Sequence, residues 1–389
     1  MARREAPERD ALGARRERRT GRRDGHARIR SIASVPCLDA YHDGFLPRRR
    51  GSPMTVPARF RAFRIHDDDA GYRAGLEEIA LDDLAPGELV IRTAYSSVNY
   101  KDALAGTGQG KILRRFPLVG GIDVAGHVVQ SRDPAFREGD AVLVTGCGLS
   151  ETRDGGYAEY ARLEAKWAVP LPAGLDLRES MILGTAGFTA ALALLRMTEN
   201  RQTPALGPLA VTGATGGVGS LAVDIFDRAG YTVHAISGKP EQADYLRAIG
   251  AAEVLGREAL DVRRALESAR FGGGLDNVGG PMLTGLLAQT APYGNVASAG
   301  LAASPTLETT VMPFIIRGVS LLGVASAGTA RDIRDEVWRR LASDWKPRHL
   351  DRIAQHEATL DTLPDAFARL LAGGGLGRTL VRIGPEPGR

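Results

Sequence analysis

The residues best suited to chemistry in this chain lie at one strand-to-helix turn. An apolar run, Leu209-Ala210-Val211-Thr212, passes directly into Gly213-Ala214-Thr215-Gly216-Gly217-Val218-Gly219, and an amphipathic segment follows. Gly216 lets backbone approach a diphosphate, Gly219 lets the helix pack closely on its strand, and the free amides of the helix start carry partial positive charge. The turn therefore suits the pyrophosphate of a dinucleotide. Ala214 stands where the usual G-x-G-x-x-G has its first glycine, with Gly213 just upstream. A purely structural turn could use the same glycines, and it is the complete strand-loop-helix-strand order that favours the dinucleotide.

A second signal follows about twenty residues on, where an NAD enzyme places an acidic residue against the ribose hydroxyls. This chain has Ser237-Gly238-Lys239 instead. A hydroxyl, a residue without a side chain and a cation suit a 2′-phosphate, which a carboxylate would repel. These residues predict NADPH; the plainer alternative is a solvated turn whose lysine touches nothing.

Such a loop needs a parallel sheet to hold it. Strand candidates at residues 208–212, 232–236, 253–255, 275–278, 295–299 and 321–324 alternate with helix candidates at 218–229 and 241–249, as parallel α/β architecture requires. Upstream, from Phe60 to about Pro172, short strands at 88–93, 124–129 and 141–144 are separated by turns such as Ala85-Pro86-Gly87 and Glu138-Gly139-Asp140. That texture predicts a β-rich, partly closed barrel. A helix at 333–343 and a strand at 379–383 should return the chain to it. The expected division is an extension over 1–53, a barrel-like catalytic domain over 54–178, a Rossmann domain over 179–322, and a return to the catalytic domain over 323–389.

With 389 residues, 43% hydrophobic and 25% charged, the chain has the composition of a globular protein with two packed domains. The formal charge of +4 is unevenly spread: residues 1–53 hold 14 Arg against 7 Asp plus Glu, a net of +7 that leaves −3 for the rest. The basic character thus belongs to the extension, which argues against a nucleic-acid-binding surface on the body. The extension lacks a hydrophobic period and the apolar core of a secretory signal, so it reads as disordered, with Met54 as a plausible true start. The longest nearly uncharged apolar stretch, residues 181–195, falls short of a membrane span, so no membrane partner is expected. Cys37 and Cys147 cannot supply a disulfide framework or a four-thiolate zinc site, and they suit the cytoplasm. No metal is expected.

Several blocks of the chain match a known family. They are Ser96-Ser97-Val98-Asn99-Tyr100-Lys101-Asp102-Ala103, Gly121-Ile122-Asp123-Val124-Ala125-Gly126, Gly184-Thr185-Ala186-Gly187-Phe188-Thr189-Ala190, the 213–219 loop, and Thr309-Thr310-Val311-Met312-Pro313-Phe314-Ile315. Over about residues 58–384 the chain resembles the acrylyl-CoA reductase branch of the zinc-free, quinone-oxidoreductase-like medium-chain reductases. The resemblance implies an α/β fold with a GroES-like partly closed barrel and a doubly wound Rossmann sheet. It further implies a homodimer, an NADPH cleft between the domains with Thr189 among its contacts, and NADPH-dependent reduction of acrylyl-CoA to propionyl-CoA. Gly120 and Ala325 stand where that family usually has proline and aspartate.

Reduction of an unsaturated thioester needs a hydride at the β-carbon, a partner for the enolate oxygen and a proton for the α-carbon. Asn99 and Tyr100, in a loop expected at the cleft, can position nicotinamide and substrate, and a phenol with a reference pKa near 10 is a neutral donor. Arg317 either faces the cleft or forms a structural ion pair. Lys101 either anchors its loop on Asp102 or Asp123 or is surface charge. Lys111, Arg114 and Arg115 are either contacts for CoA phosphates or a solvated face. Two other functions remain open at this level: a reductase of quinones or small enones, and an NADPH-responsive nucleic-acid binder using the Arg-rich extension.

Overall fold

The computed structural model describes residues 56–385, so the expectations for the 1–53 extension lie outside the described residues. The barrel is organised on Leu89–Val98, a strand rich in β-branched and aromatic residues that is buried along most of its length. It pairs antiparallel with Asp123–Ser131 and with Thr379–Arg382, so the last strand of the chain closes a sheet begun near its start. Ala141–Thr145, Val169–Pro170, Tyr160–Leu163 and His356–Ala358 complete seven strands. A smaller sheet sets Phe60–Asp68 between Gly71–Ile79 and Leu118–Val119. Phe63, Tyr157 and Phe367 fill the space between the two sheets' elements, with ring centroids 5.7 to 6.4 Å apart.

The second half forms a six-stranded, wholly parallel sheet in the order Glu253–Leu255, Val233–Ile236, Leu209–Thr212, Phe271–Asp276, Thr290–Ser298, Ser320–Gly323. Leu209–Thr212 is buried at every residue, as a strand covered on both faces must be. Helix Gly217–Arg228 packs on it through Leu221, Ala222, Ile225 and Phe226. The fourth strand begins earlier than residue 275 because three glycines, Gly272 to Gly274, hide it from any propensity argument. Backbone crowding explains them: a Cβ on Gly273 would stand 2.4 Å from the Asn295 carbonyl oxygen, and one on Gly274 equally close to that of Ala210.

The apolar stretch at 181–195 belongs to a helix of 23 residues, Leu177–Glu199. By length and composition this helix is long enough to cross a membrane, which corrects the sequence estimate, yet 83% of its most apolar window is buried inside the protein. It lies against barrel strands on one side and helix Gly217–Arg228 on the other, and it runs through the expected 178/179 boundary. Gly184 breaks its dihedrals, at φ +50°, a value only glycine adopts without strain.

Candidate active site

Strand Leu89–Val98 ends at a cleft, and the chain turns into helix Tyr100–Thr107 through Asn99. Asn99 is therefore a helix cap, not a loop residue: its φ/ψ is extended, and Asp102, in the third helical position, accepts from the Asn99 amide at 2.9 Å. The Asn99 side chain is fully engaged. Its Nδ2 donates to Asp123 Oδ2 at 2.8 Å and to Asp102 Oδ2 at 3.1 Å, while its Oδ1 accepts from Arg378 at 3.1 Å. Arg378 also donates to the Ile182 and Val98 carbonyls at 2.9 and 3.0 Å and to the Ser97 hydroxyl at 2.6 Å.

Asp123 is the other centre of this network. It accepts from Ser97 Oγ and Thr185 Oγ1, each at 2.6 Å, and from the Thr185 amide at 3.0 Å. It thus caps the half-helix that restarts after Gly184, where a Cβ would stand 2.6 Å from Asp123 Oδ2. Asp102, Asp123 and Arg378 are all buried. Removal from water, and then the charge of Asp123, push Asp102 up to about 7. Burial lowers the Arg378 guanidinium from its usual value, against the pull of Asp123 and Asp102. A buried ion pair persists only when such hydrogen bonds satisfy both partners. Its effect here is to fix the start of helix Tyr100–Thr107, and with it Tyr100.

The facing wall is the glycine turn, across a cavity of about 960 Å³. Gly213 sits at φ +59°, and a Cβ on Gly219 would lie 2.2 Å from the Gly213 carbonyl oxygen, so helix and loop touch backbone to backbone. A Cβ on Gly216 would meet only one atom, the Gly213 oxygen at 3.3 Å, which leaves an open cradle before the first-turn amides. That cradle fits the diphosphate of a dinucleotide.

Beyond it, Ser237 is buried and accepts from the Lys239 amide at 3.0 Å. Lys239 Nζ donates across the cleft to the carbonyls of Gly373 and Gly375, at 2.6 and 2.9 Å, and the Gly377 amide donates to the Thr215 carbonyl at 2.9 Å. Residues 370–378 therefore form a strap from the barrel onto the phosphate loop. Arg257 is a further cation that sequence reasoning missed. It lines the cleft with its guanidinium against Gly238, where a Cβ would stand 2.4 Å from Arg257 Nε. A signal for it existed: it follows the strand Glu253–Leu255, whose end is in parallel register with Ile236, one residue before Ser237.

The remaining expected residues separate into two groups. Gly213, Thr215, Gly216, Gly217, Val218, Gly219, Lys239, Thr189, Asn99 and Tyr100 line the cleft, whereas Ala214 and Ser237 are buried and Gly238 is exposed outside the lining. Thr189 Oγ1 donates to the Thr185 carbonyl at 2.7 Å. Tyr100 is 51% exposed, and its hydroxyl has no hydrogen-bond partner among the described residues. Arg317 requires correction as a catalytic candidate. It donates to the carbonyls of Glu267, Ala288 and Thr290, away from the cleft wall, where it satisfies the last carbonyls around the end of helix Gly280–Gln289. Lys101 pairs with Glu151 at 2.6 Å, because Asp102 and Asp123 are sealed beneath it. Lys111, Arg114 and Arg115 lie outside the main cleft wall: Arg114 reaches Glu151 at 3.3 Å and Arg115 reaches Asp154 at 3.8 Å. Among the described residues no group of three or more His, Cys, Asp or Glu is placed to hold a metal ion.

Comparison with known proteins agrees with this arrangement. Residues 85–173 match the alcohol dehydrogenase GroES-like domain, and residues 217–343 match the zinc-binding dehydrogenase family. The chain is 43% identical over 326 residues to a Bacillus subtilis (strain 168) protein named quinone oxidoreductase YhfP, covering 83% of this chain and 99% of that one. It is 42% identical over 320 residues to the acrylyl-CoA reductase AcuI of Ruegeria pomeroyi, covering 82% and 97%. The crystal structure of the yhdH oxidoreductase from Salmonella enterica in complex with NADP superposes with a TM-score of 0.80 at 42% identity, covering 83% of this chain and all of that one. That of Bacillus subtilis yhfP with NAD bound gives 0.81 at 43%, covering 84% and 100%.

Proposed function

The chain belongs to the quinone-oxidoreductase-like branch of the medium-chain dehydrogenases/reductases, and from that membership we propose that it uses NADPH to reduce the carbon-carbon double bond of acrylyl-CoA, giving propionyl-CoA. The observation that carries the reading is Tyr100, which lines the same cleft as the glycine turn and whose hydroxyl has no hydrogen-bond partner among the described residues. NADPH is supported by Lys239 and Arg257, two cations on the cleft wall next to the buried Ser237, and by the NADP complex of the Salmonella enterica relative.

The cofactor, when bound, supplies the hydride that the β-carbon receives. Tyr100 O–H donates to the thioester carbonyl oxygen, which becomes the enolate oxygen, and the α-carbon takes its proton from Tyr100 or from solvent. A donor aimed where charge develops counts for more in the transition state than in the ground state. The Asn99–Asp102–Asp123–Arg378 network fixes the backbone that carries that donor, at the first position of helix Tyr100–Thr107. A quinone or small enone offers a similar carbonyl, and one relative is named for quinones. NADPH oxidation with acrylyl-CoA, crotonyl-CoA and a quinone decides between them. We expect acrylyl-CoA to have the highest kcat/KM; a quinone turned over far more efficiently would refute the assignment.

The working unit in this reading is a cytoplasmic homodimer. Strand Ser320–Gly323 is the outer edge of the parallel sheet, and Tyr293, Val311, Ile315, Ile316 and Leu321 around it are exposed. A twofold pairing of this edge with a second copy would cover unpaired backbone and apolar surface together. Sedimentation of the purified chain at micromolar concentration tests it, and Ile315→Glu should shift the species to monomer.

A further inference from the structure

A second cavity, of about 520 Å³, lies beside the far end of helix Tyr100–Thr107 and has no part in the cofactor cleft. Its wall includes Asp67, Tyr72, Gln109, Lys111 and Phe116. The Tyr72 and Phe116 rings meet edge to face at 5.9 Å, and both are partly exposed. The Tyr72 hydroxyl is held by the Ala105 carbonyl, which fixes that ring. Lys111 has no ion-pair partner among the described residues, so its charge is free for a ligand.

One ion pair joins the segment that lines this cavity to the wall of the cleft. Glu151 lines the cleft, and it accepts the Arg114 amide through its carbonyl at 2.8 Å and the Arg114 side chain at 3.3 Å. Arg114 is 73% exposed and follows Leu113, which lines the second cavity. Helix Tyr100–Thr107 leads the same way, from Tyr100 at the cleft to Gly108 at the cavity, a rise of about 12 Å. The pantetheine arm of coenzyme A has the chain length of about four extended residues, about 14 Å.

Resting on the reading that the substrate is a CoA thioester, we propose that this second cavity holds the adenosine 3′-phosphate 5′-diphosphate end of coenzyme A. The adenine stacks against Tyr72 and Phe116, its exocyclic amine donates to the Asp67 carboxylate, and its phosphates lie against Lys111, Arg114 and Arg115. Paired aromatics, a carboxylate acceptor and three neighbouring cations match a base that carries both an amine and phosphates. A quinone or free enone would leave the aromatics, Asp67 and Lys111 unused, whereas Arg114 and Arg115 already pair with Glu151 and Asp154.

The test uses the full chain with saturating NADPH and compares kcat/KM for acrylyl-CoA and for acrylyl-pantetheine, which lacks the nucleotide. Wild type should prefer acrylyl-CoA. Lys111→Glu should reduce that preference about tenfold or more through KM, and Lys111→Arg should restore it, since a charge-assisted contact is lost and regained. Adenosine 3′,5′-bisphosphate should inhibit competitively against acrylyl-CoA in wild type and at least tenfold more weakly in Lys111→Glu. Equal use of both thioesters by wild type, or a preference that Lys111→Glu leaves intact, overturns the cavity assignment while the acrylyl-CoA reading stands. Absence of turnover with either thioester overturns the functional reading and the cavity with it.

Discussion

Cofactor choice should rest on two cations of unequal kind, and the structure separates them. Lys239 has three N–H donors, two of which already hold the Gly373 and Gly375 carbonyls, so one remains for a 2′-phosphate. Arg257 has no ion-pair partner among the described residues and stands against Gly238, whose missing side chain makes room for it. One charge-assisted hydrogen bond contributes about 1.5 to 3 kcal/mol, about 10- to 150-fold in affinity. Arg257 is exposed, which places it near the lower bound. Arg257→Ala should therefore weaken NADPH about tenfold and leave NADH nearly unchanged. Lys239→Ala should weaken NADPH by about 10- to 100-fold and also weaken NADH to a lesser degree, because the strap loses its anchor. Ser237→Asp should narrow or invert the preference, since it repels the phosphate and offers a ribose acceptor to NADH. Isothermal titration of both cofactors against each variant measures these values, and hydrogen exchange at 370–377 reads the strap. Equal wild-type affinity for both cofactors, or an Arg257→Ala that weakens both alike, would refute the reasoning.

Tyr100→Phe should lower kcat by about 10² to 10³ while the NADPH dissociation constant stays put, the cost of removing one oxyanion donor; stopped-flow hydride transfer checks it, and an unchanged kcat excludes Tyr100 as that donor. Arg317→Ala should lower the melting temperature by several degrees yet leave kcat/KM of the folded enzyme intact, because its three acceptors are backbone carbonyls outside the cleft. Gly219→Ala should abolish cofactor binding or folding, since its Cβ would lie 2.2 Å from the Gly213 oxygen. Asp102 binds its proton more tightly folded, at about 7, than unfolded, near its ordinary value of 3.8. Between those values the native state holds the extra proton, so this residue's contribution to stability declines as pH rises from about 4 to 7 and is constant outside that window. Asp102→Asn should flatten that slope in melting curves across pH 4 to 8, and an unaltered slope would show that Asp102 does not titrate there.

The amino-acid sequence by itself determined the parts of this protein that are local. A glycine turn between an apolar run and an amphipathic segment needs only neighbours in the chain, so the phosphate loop, its sheet and the Ser237-Gly238-Lys239 turn were legible. Turn residues between short strand-like runs marked the barrel strands for the same reason. Tertiary structure decided whatever joins distant segments. The Asp123–Arg378 pair and the strap on Lys239 each bring together residues far apart in sequence, and no spacing rule reaches across such gaps. Gly272 to Gly274 fall outside the strand expected at 275–278 and belong to Phe271–Asp276, where the crowding Asn295 and Ala210 backbones admit only glycine. Arg317 follows the same logic. Its place after an apolar block suited either a cleft or an ion pair, and only the end of helix Gly280–Gln289, with carbonyls left over from its last turn, determined where that guanidinium went.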